Sequence, residues 1–259
     1  YNNAGTLNWN VAGADQLQPI FNNSGTLNLN GGALTVSNDG TDSGLYAVGA
    51  GTTLTFSGGT RTLDAGSNIT GTGSLLVSGS TVNVRNNLGI AGTSTVSLSG
   101  GVLDIDTAAT GLTFANALTV SGGTLTGADN LTLNGALNWS AGTITGSGGL
   151  ITAGISTLSS ASDKTLSNRA WTNQGTVNLT AGRLNLNGAG AVLTNEAGGV
   201  VNVTSISTNS IIGGAGTYNN AGTLNWNVAG ADQLQPVFNN SGTVNLNGGT
   251  LAVSNNGTD

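Results

Sequence analysis

Asp104 and Asp106, one residue apart, are the closest this chain comes to a catalytic pair. On a regular strand alternate side chains share a face, so both carboxylates would point outward while Leu103 and Ile105 point inward. Two outward aspartates could serve acid catalysis on a polysaccharide, hold a cation weakly through carboxylate oxygens, or simply keep the face solvated. The last reading needs nothing more from the sequence and is adopted here. Asp39 and Asp42 form a similar pair, but a second copy of that segment carries Asn256 in place of Asp39, which argues against a strict cation site there. The chain has no histidine, cysteine or methionine. That excludes the ordinary zinc site, thiol nucleophiles, a Ser-His-Asp triad and disulfides. Lys164 is the sole lysine and follows no phosphate-binding glycine loop. Nor is there a GGxGxD calcium nonapeptide. The expectation is a protein with no catalytic residues, no metal and no cofactor, and not an enzyme.

The net charge of -6 and the pI of about 4.1 bound the partners. The basic residues are Arg61, Arg85, Lys164, Arg169 and Arg183. Nucleic-acid binding needs a concentrated positive footprint, and these five do not supply one. The same holds for attraction to an anionic membrane. No stretch approaches 18 apolar residues, so no transmembrane helix is expected in this window.

The elements that would carry these residues follow from a short repeat. Residues 25–36 read GTLNLNGGALTV, residues 175–186 read GTVNLTAGRLNL and residues 242–253 read GTVNLNGGTLAV. In each, an apolar residue before a small turn is followed by another five positions later. The pairs are Leu29 and Leu34, Leu98 and Leu103, Val120 and Leu125, Trp139 and Ile144, Leu179 and Leu184, and Leu246 and Leu251. Phe56 breaks the rule, because Arg61 occupies its place five residues on. Leu27-Asn28-Leu29 and Leu34-Thr35-Val36 each alternate with the period of a strand buried on one face. Five residues is an odd offset, so the intervening corner must reset the register for both strands to face one interior. Glycine makes such a corner at low cost because it accepts positive φ. A hairpin reading of the Gly-Gly turns is possible, but the glycine-threonine corners recur about every 20–24 residues, the circumference of one solenoid coil. The alternation and a hydrophobic fraction of 37% argue against disorder, despite 44 glycines. Collagen is excluded by the lack of a three-residue glycine period, and the strands are short for a membrane barrel. The fold class expected is all-β, a right-handed parallel β-helix (β-solenoid) of roughly 20–24 residues per coil and eleven or twelve coils.

A larger repeat encloses the small one. Residues 1–42 recur at 218–259, displaced by 217 positions, with five changes: Ile20 to Val237, Leu27 to Val244, Ala33 to Thr250, Thr35 to Ala252 and Asp39 to Asn256. The chain reads as one continuous solenoid segment over 1–259. Residues 1–217 form one tandem unit and 218–259 the start of the next. On this reading the terminal coils lack caps, and a neighbouring copy or self-association would cover them.

Within this frame one segment stands out. AGADQLQP holds Pro19, and its copy holds Pro236; they are the only prolines. The segment reads as a loop or short helical turn projecting from the stack. Asp15, Gln16 and Gln18, with their copies Asp232, Gln233 and Gln235, are the candidate surface contacts, since loops on a rigid scaffold commonly carry binding. The aromatic residues Tyr1, Phe21, Trp171, Tyr218 and Phe238 each precede a corner glycine by four positions, and Trp9, Trp139 and Trp226 take the place Leu29 holds. Interior packing is the expected role, with a carbohydrate-stacking platform as the alternative. Asparagines before the corners, such as Asn3, Asn23, Asn220 and Asn240, are expected to tolerate left-handed backbone and to form amide ladders between coils.

The GTLNL-x-GG-x-L pattern, over essentially the whole chain, resembles the passenger regions of bacterial autotransporters and filamentous-haemagglutinin-like adhesins. The resemblance implies an extracellular, cell-surface β-helix used in adhesion or biofilm matrix. The function expected is a structural or adhesive segment of a long surface fibre. Its partners would be itself, by coaxial or lateral association, or a surface glycan or matrix. Two alternatives remain: a polysaccharide-binding or polysaccharide-processing β-helix, which needs an exposed aromatic row or aspartates facing across a groove, and an ice-binding solenoid, which needs a regular Thr-x-Thr ladder.

Overall fold

The computed structural model describes residues 1–85, 95–107, 111–205, 210–255 and 257–258. It is all-β, with parallel strands stacked as a β-solenoid of about 11 turns and about 21 residues per coil. The strand pairing is parallel rather than hairpin-like. Two compact units divide the chain, Tyr1–Asp129 and Asn130–Asp259.

In the first unit the short strands form three stacks. One stack runs through Thr6–Trp9, Thr26–Leu29, Leu45–Val48 and Asn68–Gly71. A second runs through Ala14–Leu17, Ala33–Val36, Thr53–Phe56, Ser74–Val77, Thr95–Leu98 and Leu118–Val120. The third holds Gly40–Asp42, Thr60–Leu63, Thr81–Val84, Val102–Ile105 and Thr124–Thr126. Because partners pair in exact register, like residues stack in columns. Leu34 lies on Leu54, and Leu54 on Leu75. Each column is buried because the coil above and the coil below cover it, and no coil could bury its apolar face alone.

The second unit repeats the scheme. Leu137–Trp139, Ile155–Leu158, Thr176–Leu179, Val200–Val203, Thr223–Asn240 and Thr243–Asn255 follow one another. Leu131–Leu133, Leu150–Thr152, Ala170–Asn173, Val192–Asn195 and Thr217–Asn220 form a second stack, on which Val237 to Asn240 close. The third contains Gly142–Thr145, Lys164–Ser167, Leu184–Asn187 and Ile212–Gly213.

The five-residue offset does what its arithmetic requires. Leu29 and Leu34, Leu98 and Leu103, Val120 and Leu125, Trp139 and Ile144, and Leu179 and Leu184 are all buried. Leu246 is the exception at 59% exposed; it pairs with Trp226 of the preceding coil. Gly32 and its copy Gly249 both sit at φ 61°, the left-handed corner that resets the register. The glycine of each Gly-Thr corner answers a different demand. A Cβ on Gly25 would lie 2.0 Å from the carbonyl oxygen of Gly5, and one on Gly222 would lie 2.2 Å from that of Gly199. Successive corners approach backbone to backbone, so the column admits no side chain.

The two copies of the 42-residue segment adopt the same register. Thr6 pairs with Thr26 as Thr223 does with Thr243, and Ala14 with Ala33 as Ala231 does with Thr250. The second copy also receives a coil on its other side: Val192–Asn195 pairs with Thr217–Asn220, and Val200–Val203 with Thr223 to Trp226. The ladder therefore crosses the copy junction without a break.

Candidate functional site

The AGADQLQP segment is not a projecting loop. Ala14–Leu17 is a strand paired with Ala33–Val36, and its copy lies within the strand Thr223–Asn240. The reason is parity. Asp15 takes register with Leu34 and Leu17 with Val36, so both occupy inward positions while Gln16 and Gln18 face out. The proline lies beyond the paired stretch of the first copy, where its missing N–H costs no ladder bond. Asp15 itself is exposed in the first coil, where it accepts the Gln16 N–H at 2.8 Å. Asp232 has a coil on that side and is 4% exposed, accepting N–H groups from Ile211 at 3.0 Å and Gln233 at 2.7 Å. Of the six predicted contacts, the aspartates are thus inward-facing groups that bind backbone. Gln16, Gln18 and Gln233 are exposed, and Gln235 is half-buried, accepting from Arg183 at 3.1 Å.

The outward carboxylates are placed as alternation predicts, with Leu103 and Ile105 buried between them. Asp104 pairs with Arg85 of the neighbouring coil at 2.8 Å, both side chains partly exposed. Such a surface pair is worth about 0–1 kcal/mol. Asp106 is exposed. Among the described residues no three acidic, histidine or cysteine side chains converge on a point. Most of the aromatic residues are interior: Phe21, Trp139, Trp171, Tyr218 and Trp226 are fully buried. Trp9 is partly exposed, and among the described residues only Tyr1 is a strongly exposed aromatic, lying parallel to Phe21 at 5.9 Å.

The buried polar groups carry most of the chemistry. Arg61, at the position where the five-residue rule fails, is fully buried and ion-paired with buried Asp42. Its Nε donates to Asp42 Oδ2 at 3.0 Å, and its Nη2 donates to the Phe21 carbonyl at 2.8 Å and the Tyr46 hydroxyl at 3.3 Å. The guanidinium lies 5.8 Å from the Phe21 ring and 5.2 Å from the Phe56 ring, within cation–π range. Asp42 also accepts the Asn23 N–H at 2.9 Å. Burial, followed by the charge of Asp42, pushes the Tyr46 phenol well above its ordinary value. Arg169, also buried, donates to the Thr145 carbonyl at 2.7 Å and the Gly149 carbonyl at 3.2 Å. Burial lowers its pKa to about 10. Sequence reasoning missed these interior cations. The signal was present, since Arg61 stands where a leucine belongs and Lys164 shares parity with buried Leu166.

Asparagine forms the expected ladders, but not on left-handed backbone: Asn3, Asn23, Asn220 and Asn240 lie in extended strands, and among the described residues Asn168 at φ 49° is the asparagine that turns left-handed. Inside the second unit an amide ladder runs from Asn173 to Asn195, Asn220 and Asn240, with Nδ2-to-Oδ1 distances of 2.8, 2.8 and 2.7 Å. The first unit has the equivalent Asn3–Asn23 bond at 2.8 Å. Outer ladders accompany them: Asn202 donates to Asn178 at 2.9 Å and Asn225 to Asn202 at 2.8 Å. These bonds all run from coil to coil. The outward rows mix residue types: Thr35, Thr55, Leu76 and Ser97 follow one another in the first unit. No protein family, curated protein or solved structure matches the chain.

Proposed function

We propose that this chain is a structural and adhesive segment of a long extracellular fibre on a bacterial surface, and not an enzyme. The observation that carries the reading is the copy junction. Residues 218 to 255 repeat the register of 1 to 38 while pairing in parallel with the coils that precede them. One copy can therefore succeed another indefinitely with no adaptor, which suits a fibre and serves no evident purpose in an enzyme. The polar chemistry agrees with this role. Buried amides, Asp42 and the interior cations are spent on backbone and on one another, tying coil to coil. The fibre's partners would be further copies of itself or a surface glycan or matrix polymer, met by its outward hydroxyl and amide rows. Extracellular placement rests on the resemblance of the repeat to adhesin passenger regions.

The test is a series of chains carrying one, two and three copies of the 217-residue unit, measured by small-angle scattering. At about 21 residues per coil and roughly 4.8 Å per coil, each copy should add about 50 Å to the maximum dimension. Chains that collapse on themselves, with no regular increment, would rule the fibre reading out.

A further inference from the structure

The one lysine of the chain stands in a cage of backbone oxygens. Lys164 is fully buried, and its Nζ lies 3.0 Å from the Ser159 carbonyl, 2.9 Å from Ser160, 2.8 Å from Ser162 and 2.6 Å from Ala181 of the next coil. An ammonium has three N–H donors, so four carbonyls around it exceed what directional hydrogen bonding uses. The excess oxygen suggests that the cage answers to charge, as carbonyl rings do when they replace the hydration shell of an ion. Two backbone features build it. Ser160 sits at φ 69°, a left-handed conformation that L side chains rarely adopt, and Gly182 at φ 63°. A Cβ on Gly182 would lie 2.6 Å from the Ser160 oxygen and 2.7 Å from both the Ser162 oxygen and Nζ, so glycine there keeps the cage open to its occupant.

From this geometry we propose that the turn 159–162 and the Ala181 carbonyl form a site for a monovalent cation of potassium or ammonium size, which Lys164 fills in cis. The ligand class follows from the oxygens. All four are neutral carbonyls, which suit a singly charged ion better than a divalent one. Calcium prefers carboxylate-rich sites at about 2.3–2.6 Å, shorter than the distances here. Ser160, Ala161 and Ser162 are exposed, so a free ion reaches the cage directly from solvent once the side chain is gone. In the native protein the lysine thus acts as a permanent, salt-independent plug joining one coil's turn to the next coil.

Two measurements on the full chain test this. In the unmodified protein an amine-reactive reagent should leave Lys164 untouched until unfolding, which peptide mapping reads directly because no other lysine competes. Rapid labelling of Lys164 in the native state would overturn the proposal. Lys164→Ala empties the cage, whereas Lys164→Met fills its approach with an apolar chain. Both should melt at lower temperature than the parent in choline or lithium chloride. Potassium or ammonium chloride at the same ionic strength should restore most of the loss in Lys164→Ala and little in Lys164→Met, with the parent indifferent. A Lys164→Ala melting temperature that ignores cation identity, or a variant unfolded in every salt including potassium, would overturn it equally.

Discussion

A solenoid interior is built for leucine, so each charged residue inside it is costly unless fully paired. Arg61 and Asp42 satisfy that condition through each other, the Phe21 carbonyl, the Tyr46 hydroxyl and the Asn23 amide. Removing one partner strands the other. Arg61→Met should therefore destabilise the protein by about 3–5 kcal/mol, while pairing it with Asp42→Leu should recover much of that loss. Equilibrium denaturation of the two variants would show it; equal stability of single and double variants would refute the coupling. The buried tyrosines set the response to alkali. Burial raises the phenol pKa of both Tyr46 and Tyr218. An exposed phenol ionises near pH 10, so above that point the unfolded chain releases protons that the folded chain keeps. The stability these groups contribute is complete below about pH 10 and is lost as pH rises toward their raised folded values. Among the described residues the Tyr218 hydroxyl has no hydrogen-bond partner, and its neighbour in the next coil is Phe238. Tyr218→Phe should be neutral or stabilising at pH 7 and should move the alkaline unfolding midpoint, followed by circular dichroism, to higher pH. A lower midpoint would contradict the assignment.

At the scale of the strand and corner, stability comes from columns. Asn195 is an interior rung of the amide ladder, accepting from Asn173 and donating to Asn220. Asn195→Ala would leave buried groups unsatisfied on two coils, at about 1–3 kcal/mol each. Asn178, an outward rung half-exposed to water, should tolerate the same change with a much smaller loss. Comparing their chemical denaturation midpoints distinguishes a buried ladder from a solvated one, and equal losses would count against the distinction. This is also the scale at which the sequence was most legible. Odd five-residue spacing across Gly-Gly required a corner, and period-two alternation named Leu29, Leu34, Leu179 and Leu184 as core. It was least legible where a column changes chemistry. Asp15 and Gln16 read as loop residues because polarity and a nearby proline outweighed their parity. The pairing of Ala14–Leu17 with Ala33–Val36 depends on the following coil, 19 residues away, whose register a local reading does not consult. Arg61 was obscured for the same reason, since its partners come from other coils, whereas Lys164 takes three of its four carbonyls from its own turn and only Ala181 from the next coil.

For the molecule as a whole the central question is whether copies are interchangeable. The five differences between residues 1–42 and 218–259 can be written into the first copy as Ile20→Val, Leu27→Val, Ala33→Thr, Thr35→Ala and Asp39→Asn. Four of these positions face solvent wholly or in part, and Leu27 alone is fully buried. Asp39 uses a side-chain oxygen to accept the Thr60 N–H at 2.7 Å, and asparagine retains a carbonyl oxygen that can do the same. Only Leu27→Val removes core volume. Losing one buried methylene costs about 1 kcal/mol, and the remaining four changes should together stay within a few tenths of that figure because each touches water. The five-fold variant should then unfold cooperatively, close to the parent and indistinguishable from the single Leu27→Val variant in denaturant. If it is instead much less stable than Leu27→Val alone, the copies are not equivalent parts. The variation between them would then encode position within the array rather than drift within a tolerant scaffold.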